Sequence, residues 1–366
     1  MCKIRRKSPI PPVCKNRIAK RPRRHFLVNQ KLSFFDSAEP EDITTNSLVP
    51  TAVGALRPTA AVPHAMRESA LHDGDKILVV GLNRIKDFPA ALIADNLSRS
   101  PFVKAAARSV VIDFPVRGGK ETDAAGTTHA REFDTELNTE LNSTEITALI
   151  KALQHEIRPG EKVLLPAVLG INPEVFAAFT KHFRTPVGEI PLPPPSVSGR
   201  RIHEALTKMC ADARIDIQLN AAAVGFTSRG KHVQTVKVQR AGRIHKVKAD
   251  FIIDSAGGFE SGNITRDSHL RTRESIFNLP LYTHQAPEPD FAAENIFRSG
   301  VMVNEAMNPI NQAGDVLYEN LYCIGAVIGG ALAWEEKSGE GISLGSAFAA
   351  AKAAAKAAAK TGKEAN

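Results

Sequence analysis

Cysteine is scarce in this chain: Cys2, Cys14, Cys210 and Cys323 stand far apart among 366 residues, with no CxxC and no His-rich cluster. Neither a zinc site nor a disulfide framework is indicated, and a reducing cytoplasm fits. No apolar run reaches the roughly 20 residues that a membrane-spanning helix needs, so the chain is expected not to cross a bilayer, although it can dock on a membrane partner. Aromatic residues make up 6%, with a single tryptophan, and they do not stand beside the cations. That removes the stacking platform expected of a single-strand nucleic-acid binder. No Ser-His-Asp or metal-ligand constellation is visible, and no GxGxxG occurs anywhere. The apolar fraction of 43% and charged fraction of 23% are ordinary for a globular protein.

Acidic residues are missing from one region only. Residues 1–26 hold ten Lys/Arg and no acid, leaving 37 basic against 39 acidic side chains in the remainder. The net charge of +8 is therefore a property of a tail, and the body is close to neutral. Prolines and like charges without periodicity make residues 1–26 a disordered basic tail. An RNA-binding or membrane-surface tail and a targeting peptide are the functional alternatives to a non-native start, which is the preferred reading. Nucleic acid is not an expected partner. Residues 27–74, with Pro40, Pro50, Pro58 and Pro63, read as an irregular lead-in.

From Asp75 the texture changes. Lys76–Gly81 reads as a buried parallel strand, and Asp87–Leu97 as the following helix, with Asp87 as N-cap and Pro89 in its first turn. Ser109–Phe114 completes a βαβ unit, although its GLNRIKD loop has one glycine and no dinucleotide fingerprint. After a polar stretch at 117–143 come an amphipathic helix over 144–157 and a buried strand over 162–169. A helix over 173–183 follows, with Val175, Phe176 and Phe179 on one side. PLPPPSVSG at 191–199 is stiff enough to wall a pocket, and Arg200 and Arg201 beyond it are candidate anion binders. Strands follow at 216–219, 232–238 and 243–248, the last two joined by a turn at 240–242, and at 249–254.

Two glycine-rich exits end the pattern. The apolar run Phe251–Asp254 enters Ser255-Ala256-Gly257-Gly258, and Leu321–Ile324 enters Gly325-Ala-Val-Ile-Gly329-Gly330. GEGISLG at 339–345 then opens an alanine-rich helix. A strand feeding a glycine loop and a helix N-terminus suits an anionic or electron-rich ligand, because the backbone comes close and the helix dipole faces it.

The hairpin, the two exits and the terminal helix resemble the second half of a glutathione-reductase-type flavin domain. More narrowly, KILVVGLNRIKDFPAALIADNL, VLLPAVLGI, PLPPPSVSGRRIHEAL, SAGGFESG and NLYCIGAVIGG together resemble the B subunit of anaerobic glycerol-3-phosphate dehydrogenase, over about residues 75–358. The resemblance implies an α/β fold: a glutathione-reductase-like, Rossmann-type flavin-binding domain, incomplete at its N-terminus, with an inserted α/β substrate or cap region. Family members open with a strand and GxGxxG, which this sequence lacks, so the expectation is a member without its first βαβ unit. The implied boundaries are a tail at 1–26, a lead-in at 27–74, the inserted region at 75–240, the C-terminal half of the flavin domain at 241–360 and a disordered end at 361–366.

The same resemblance implies oxidation of sn-glycerol 3-phosphate to dihydroxyacetone phosphate, with electrons passed to the quinone pool in fumarate or nitrate respiration. The implied cofactor is FMN, with FAD as the alternative. The implied partners are the catalytic A subunit, and the membrane-anchoring iron–sulfur C subunit, with the chain peripheral on the inner face of the cell membrane. A non-catalytic subunit of the same complex is the other reading. Gly257, Gly258, Gly325, Gly329, Gly330, Gly341 and Ser343 are the expected cofactor-binding residues, with a helix from near Ile342 facing the flavin. Arg266, Arg271 and Arg273 are candidates for the substrate phosphate, and His269 and His284 for the general base.

Overall fold

The computed structural model describes residues 46–59, 61–113, 144–269, 271–282, 297–331 and 333–364. The basic tail, residues 27–45, the polar stretch at 117–143 and His284 lie outside them. The described residues divide into two compact units, one ending at Ile217 and the other starting at Gln218.

The first unit begins with an antiparallel pair, β1 (Ser47–Pro50) and β2 (Leu56–Thr59), and a 3-10 turn at His64–Ser69. This corrects the irregular reading of 46–74. Pro50 and Pro58 hide the pair in the sequence, because proline is compatible with strands only where a ladder N–H is dispensable. The pair is tied to the helix below by Asn96, whose Nδ2 donates to Val53 O at 2.7 Å.

Four parallel strands follow, β3 (Lys76–Leu82), β4 (Ala106–Ile112), β5 (Glu161–Pro166) and β6 (Val187–Ile190), in spatial order β4-β3-β5-β6. They alternate with helices α1 (Ala90–Ser98), α2 (Thr144–Glu156) and α3 (Pro173–Thr180), and α4 (Val197–Asp212) follows β6. The continuous apolar runs of β3 and β5 are what a strand covered on both faces requires. Ile77, Leu78, Ile93, Leu153, Leu164 and Phe179 form the centre of this core. The helix expected at 173–183 ends at Thr180 and buries Val175, Phe176 and Phe179. Asn172 caps it by accepting from Glu174 N at 3.0 Å, with Pro173 in the first turn. By contrast Asp87 caps nothing: Pro89 occupies the N-cap of α1, without a side-chain cap bond.

The second unit opens with a meander, β7 (Ala221–Arg229), β8 (His232–Arg240) and β9 (Arg243–Val247). The strand expected at 216–219 is not formed, and Leu219 is 75% exposed. The alanine-rich β7 replaces it. A division at 240 would cut the hydrogen-bonded pair β8–β9, whose two-residue turn has positive φ at both Ala241 (47°) and Gly242 (75°).

Short strands follow: β10 (Ile252–Asp254), β11 (Ile264–Arg266), β12 (Thr272–Glu274), β13 (Leu281–Tyr282), β14 (Gly300–Val301) and β15 (Leu321–Cys323). A 3-10 turn (Gly325–Val327), α5 (Ala333–Glu336) and α6 (Gly339–Glu364) complete the unit. Its core gathers Val233, Phe277, Leu279, Val301, Leu321 and Val327, with the Phe226 ring tilted against Phe277 at 5.3 Å and edge-on to Tyr318 at 5.6 Å. The AAAK repeats carry α6 through Glu364, so the disorder expected from residue 361 is not found up to that point. No helix among the described residues is long and apolar enough to cross a membrane.

Candidate functional site

β10 and β15 lie side by side and parallel, in the register Ile252↔Leu321, Ile253↔Tyr322, Asp254↔Cys323. Asn320, almost fully buried, fixes this pair to β8: its Nδ2 donates to Val233 O and Asp250 O, and its Oδ1 accepts from Val233 N. Both strands therefore end at one edge, and both run into glycines there. The carboxyl end of parallel strands is where α/β proteins place ligands.

Glycine is required at this crossing. A Cβ on Gly258 would stand 2.8 Å from Ala326 O, so only a bare backbone lets the first exit pass the second. Gly325 has φ +70°, and its N–H donates to Ser346 Oγ at 2.9 Å, while Ser346 Oγ donates to Ile342 O at 2.6 Å. This fully buried serine fastens the opening turns of α6 against the second exit. Ser343 Oγ would lie 3.5 Å from a Cβ on Gly325. The structure thus brings Gly257, Gly258, Gly325 and Ser343 to one place, with Gly341 in the first turn of α6. That helix begins at Gly339, three residues before the expected Ile342.

Gly329 and Gly330 are engaged differently. Their N–H groups donate to Val301 O at 3.1 Å and Arg298 O at 2.8 Å, so both amides serve the chain's own packing. Arg266, Arg271 and Arg273 share the β11–β12 hairpin, with His269 in its turn, but the register Thr265↔Arg273 and Arg266↔Thr272 puts Arg266 on the opposite face from Arg273. The hairpin is exposed, and Asp267 organises it, accepting from His269 N, Arg271 N and Arg271 Nε, each at 2.9 Å. Those Arg271 and His269 bonds hold the Asp267 carboxyl below its usual range.

Arg201 is not available to an anion. It is 3% exposed and pairs with Glu189, itself fully buried, at 2.5 Å. Its remaining donors reach Gly170 O (2.9 and 2.6 Å) and Leu169 O (3.1 Å). Arg200 is paired with Glu204 at 2.7 Å on the surface of α4.

Two buried carboxyls in the second unit escape a reading of the sequence. Glu274 is 1% exposed and accepts from Ile276 N (2.7 Å), Phe277 N (2.7 Å) and Leu279 N (3.2 Å). Asp254 closes β10 and is 4% exposed; its Oδ1 accepts from Ala256 N at 3.0 Å, and its Oδ2 has no partner among the described residues. Burial, reinforced by Glu274, pushes the Asp254 carboxyl up to about 6. Burial likewise raises the Cys323 thiol opposite it, with Asp254 and Glu274 adding to the effect, which excludes a reactive thiolate. An acid ending the apolar run FIID is the signal the sequence offers.

A raised carboxyl means that the native state holds the proton more tightly than the unfolded chain. Stability from the neutral acid is thus full below about pH 4 and is lost as pH rises through about 6. Urea midpoints of the flavin-free chain and of Asp254→Asn should therefore diverge, with the wild type losing on the order of 3 kcal/mol relative to the variant between about pH 4 and pH 7.5. A difference that does not vary with pH would contradict this environment for Asp254.

Comparison with known proteins decides the family. The family described as FAD binding domain matches residues 19–342. The chain belongs to this FAD binding domain family. A probable B subunit of anaerobic glycerol-3-phosphate dehydrogenase from Halobacterium salinarum is 28% identical over 342 residues, covering 88% of this chain and 78% of that protein. The B subunit of anaerobic glycerol-3-phosphate dehydrogenase from Pectobacterium atrosepticum is 26% identical over 310 residues, covering 80% and 68%. The Pasteurella multocida protein of the same name is 25% identical over 323 residues, covering 82% and 72%. A solved thioredoxin reductase from T. acidophilum is 13% identical with a TM-score of 0.11 and carries no argument.

Both the resemblance to these B subunits and the α/β flavin-binding fold class expected from the sequence are thereby borne out. The family points to a flavin, and to FAD most directly, where the resemblance alone puts FMN first. The residues present fit the end of such a cofactor. Two glycine exits cross at the carboxyl ends of parallel strands, a long helix begins against them, and a buried oxygen of Asp254 has no partner among the described residues.

Proposed function

We propose that this chain is the flavin-holding subunit of a respiratory glycerol-3-phosphate dehydrogenase. It oxidises sn-glycerol 3-phosphate to dihydroxyacetone phosphate together with its partners and passes electrons toward the quinone pool. The observation that carries this reading is the crossing of Gly258 over Ala326 beside the Ser346-fastened start of α6, in a chain whose relatives bear that enzyme's name. A bound flavin would supply the redox chemistry itself. The chain's residues position it: Gly257, Gly258 and Gly325 let the two exits and the start of α6 pack together into its seat, and the α6 dipole with Gly341 and Ser343 favours negative charge at its end.

The partners on this reading are a catalytic subunit, which completes the dehydrogenase, and an iron–sulfur subunit, which anchors it. Through them the chain sits peripherally on the inner face of the cell membrane. The absence of a membrane-crossing helix among the described residues is compatible with anchoring by a partner. The exposed setting of Arg266, Arg271, Arg273 and His269 favours a substrate phosphate held on the catalytic partner, with this chain in an electron-carrying role.

The visible absorption spectrum of the purified full chain tests the reading. A flavin spectrum near one equivalent is expected, and denaturation followed by chromatography of the released cofactor separates FAD from FMN. A folded chain that stays colourless, both alone and after FAD and FMN are added, would leave a non-catalytic role in the complex as the better account.

A further inference from the structure

Asp254 stands at the junction of everything that forms the proposed flavin crossing. It is the last residue of β10 and faces Cys323 in register on β15, and the first glycine exit begins immediately after it. Its carboxyl is folded over that exit, because Oδ1 takes the N–H of Ala256, two residues on. Its other oxygen is buried and finds no partner among the described residues. A buried polar atom left in that state costs about 1–3 kcal/mol, a cost that a hydrogen-bonding ligand seated at the crossing would remove.

The neighbours decide which protonation state that use requires. Glu274 on β12 and Cys323 on β15 are the titratable groups that face Asp254 among the described residues. Glu274 has its own three amide donors and offers Asp254 only repulsion. Nothing in this surrounding favours a second carboxylate, and the neutral acid is a donor in search of an acceptor. Along the edge from N1 to the C2 carbonyl the flavin ring presents acceptors only, and that is the edge a neutral acid suits.

We infer that Asp254, as a neutral carboxylic acid, donates a hydrogen bond to the flavin seated at the two glycine exits, and that the chain's hold on flavin is therefore pH-dependent. The inference rests on the flavin reading above. The Asp254 proton is present below about pH 6 and is lost above it. Above that range the carboxylate presents a lone pair where the ligand also has one. Binding weakens as pH rises, the opposite of what a site relying on a carboxylate acceptor would show.

The test is titration of the flavin-free full chain with FAD and with FMN, read by quenching of flavin fluorescence from about pH 5 to about pH 8. The dissociation constant should rise about tenfold across that range, the worth of one hydrogen bond. Asp254→Asn keeps a neutral donor of the same shape, so it should bind like wild type at the acid end and lose the pH dependence. Asp254→Leu should bind about tenfold more weakly at the acid end, also without pH dependence. Should neither variant fold by circular dichroism, the wild type still decides. Its protonated carboxyl stretch should shift in the infrared difference spectrum when flavin is added at the acid end.

A flat wild-type profile, a pH dependence that persists in Asp254→Asn, or an unshifted carboxyl band would each overturn the inference while leaving flavin binding intact. Failure of both flavins to bind at every pH would overturn the flavin reading and this inference with it.

Discussion

Arg201→Met should destabilise the first unit by about 3–5 kcal/mol, the usual cost of stranding one member of a buried ion pair. Arg201 is 3% exposed and Glu189 is fully buried, and their closest approach is 2.5 Å. The pair is embedded further than its charge balance alone requires. Leu169 N donates to Glu189 Oε1 at 3.1 Å, and Arg201 donates to the carbonyls of Leu169 and Gly170. One guanidinium thus joins α4, β6 and the segment leaving β5. Methionine fills comparable volume, so the loss should come from the uncompensated carboxylate and the two freed carbonyls. Urea titration with hydrogen exchange at the β5 and β6 amides would locate the effect. Adding Glu189→Gln to Arg201→Met should recover a large part of the loss, because the stranded charge is gone. A loss below about 1 kcal/mol for Arg201→Met alone would mean that the pair is not desolvated.

Much of the parallel sheet is legible in the sequence, and the reason is physical. Strands such as β3 and β5, covered on both faces, must be apolar without interruption, and that signal needs no knowledge of the neighbours. The pair β1–β2 and the strand β7 escape for the opposite reason. Their prolines and alanines are poor strand formers, and they pair because β2 and β8 lie alongside. Gly225 adds to this, sitting at a break of register in the β7–β8 ladder.

The candidate site divides in the same way. Gly258 and Gly325 are legible because a missing Cβ leaves a trace in the sequence. What the missing Cβ makes room for is not recorded there. Gly258 clears the way for Ala326, whereas Gly329 clears the way for Gly300, far off in sequence, and turns its N–H inward to Val301 O. Arginines and acids mislead more. Arg200 and Arg201 are identical as letters, yet one lies on the surface with Glu204 and the other is sealed against Glu189. Glu274 looks like an ordinary surface acid and Asp254 is marked only by ending the apolar run FIID; the packing of β10 against β15 and the turn after β12 bury them.

Gly300→Ala should cost about 3 kcal/mol or more, at or beyond the upper end of ordinary overpacking, and should lower the flavin content of the purified chain. A Cβ at this position would stand 2.6 Å from Gly329 Cα and 2.7 Å from Ile328 C. These are backbone atoms and cannot rotate aside, so β14 or the second glycine exit must move. Moving them breaks the bridge between Val301 and Ile328 and the bonds from Gly329 N to Val301 O and Gly330 N to Arg298 O. The turn Gly325–Val327 lies directly upstream and would be carried along, opening the crossing where Gly258 meets Ala326.

Gly330→Ala is the control. Gly330 has φ +97°, and an added Cβ would meet nothing within 4 Å, so its cost is conformational, about 1–2 kcal/mol. Urea unfolding of both variants, with flavin per chain measured from the visible spectrum, separates the two effects. The expected order is a large loss of stability and of flavin for Gly300→Ala, and a small loss of stability with flavin retained for Gly330→Ala. Equal losses in the two would show that backbone conformation, rather than the face-to-face passage of Gly300 and Gly329, shapes the second exit.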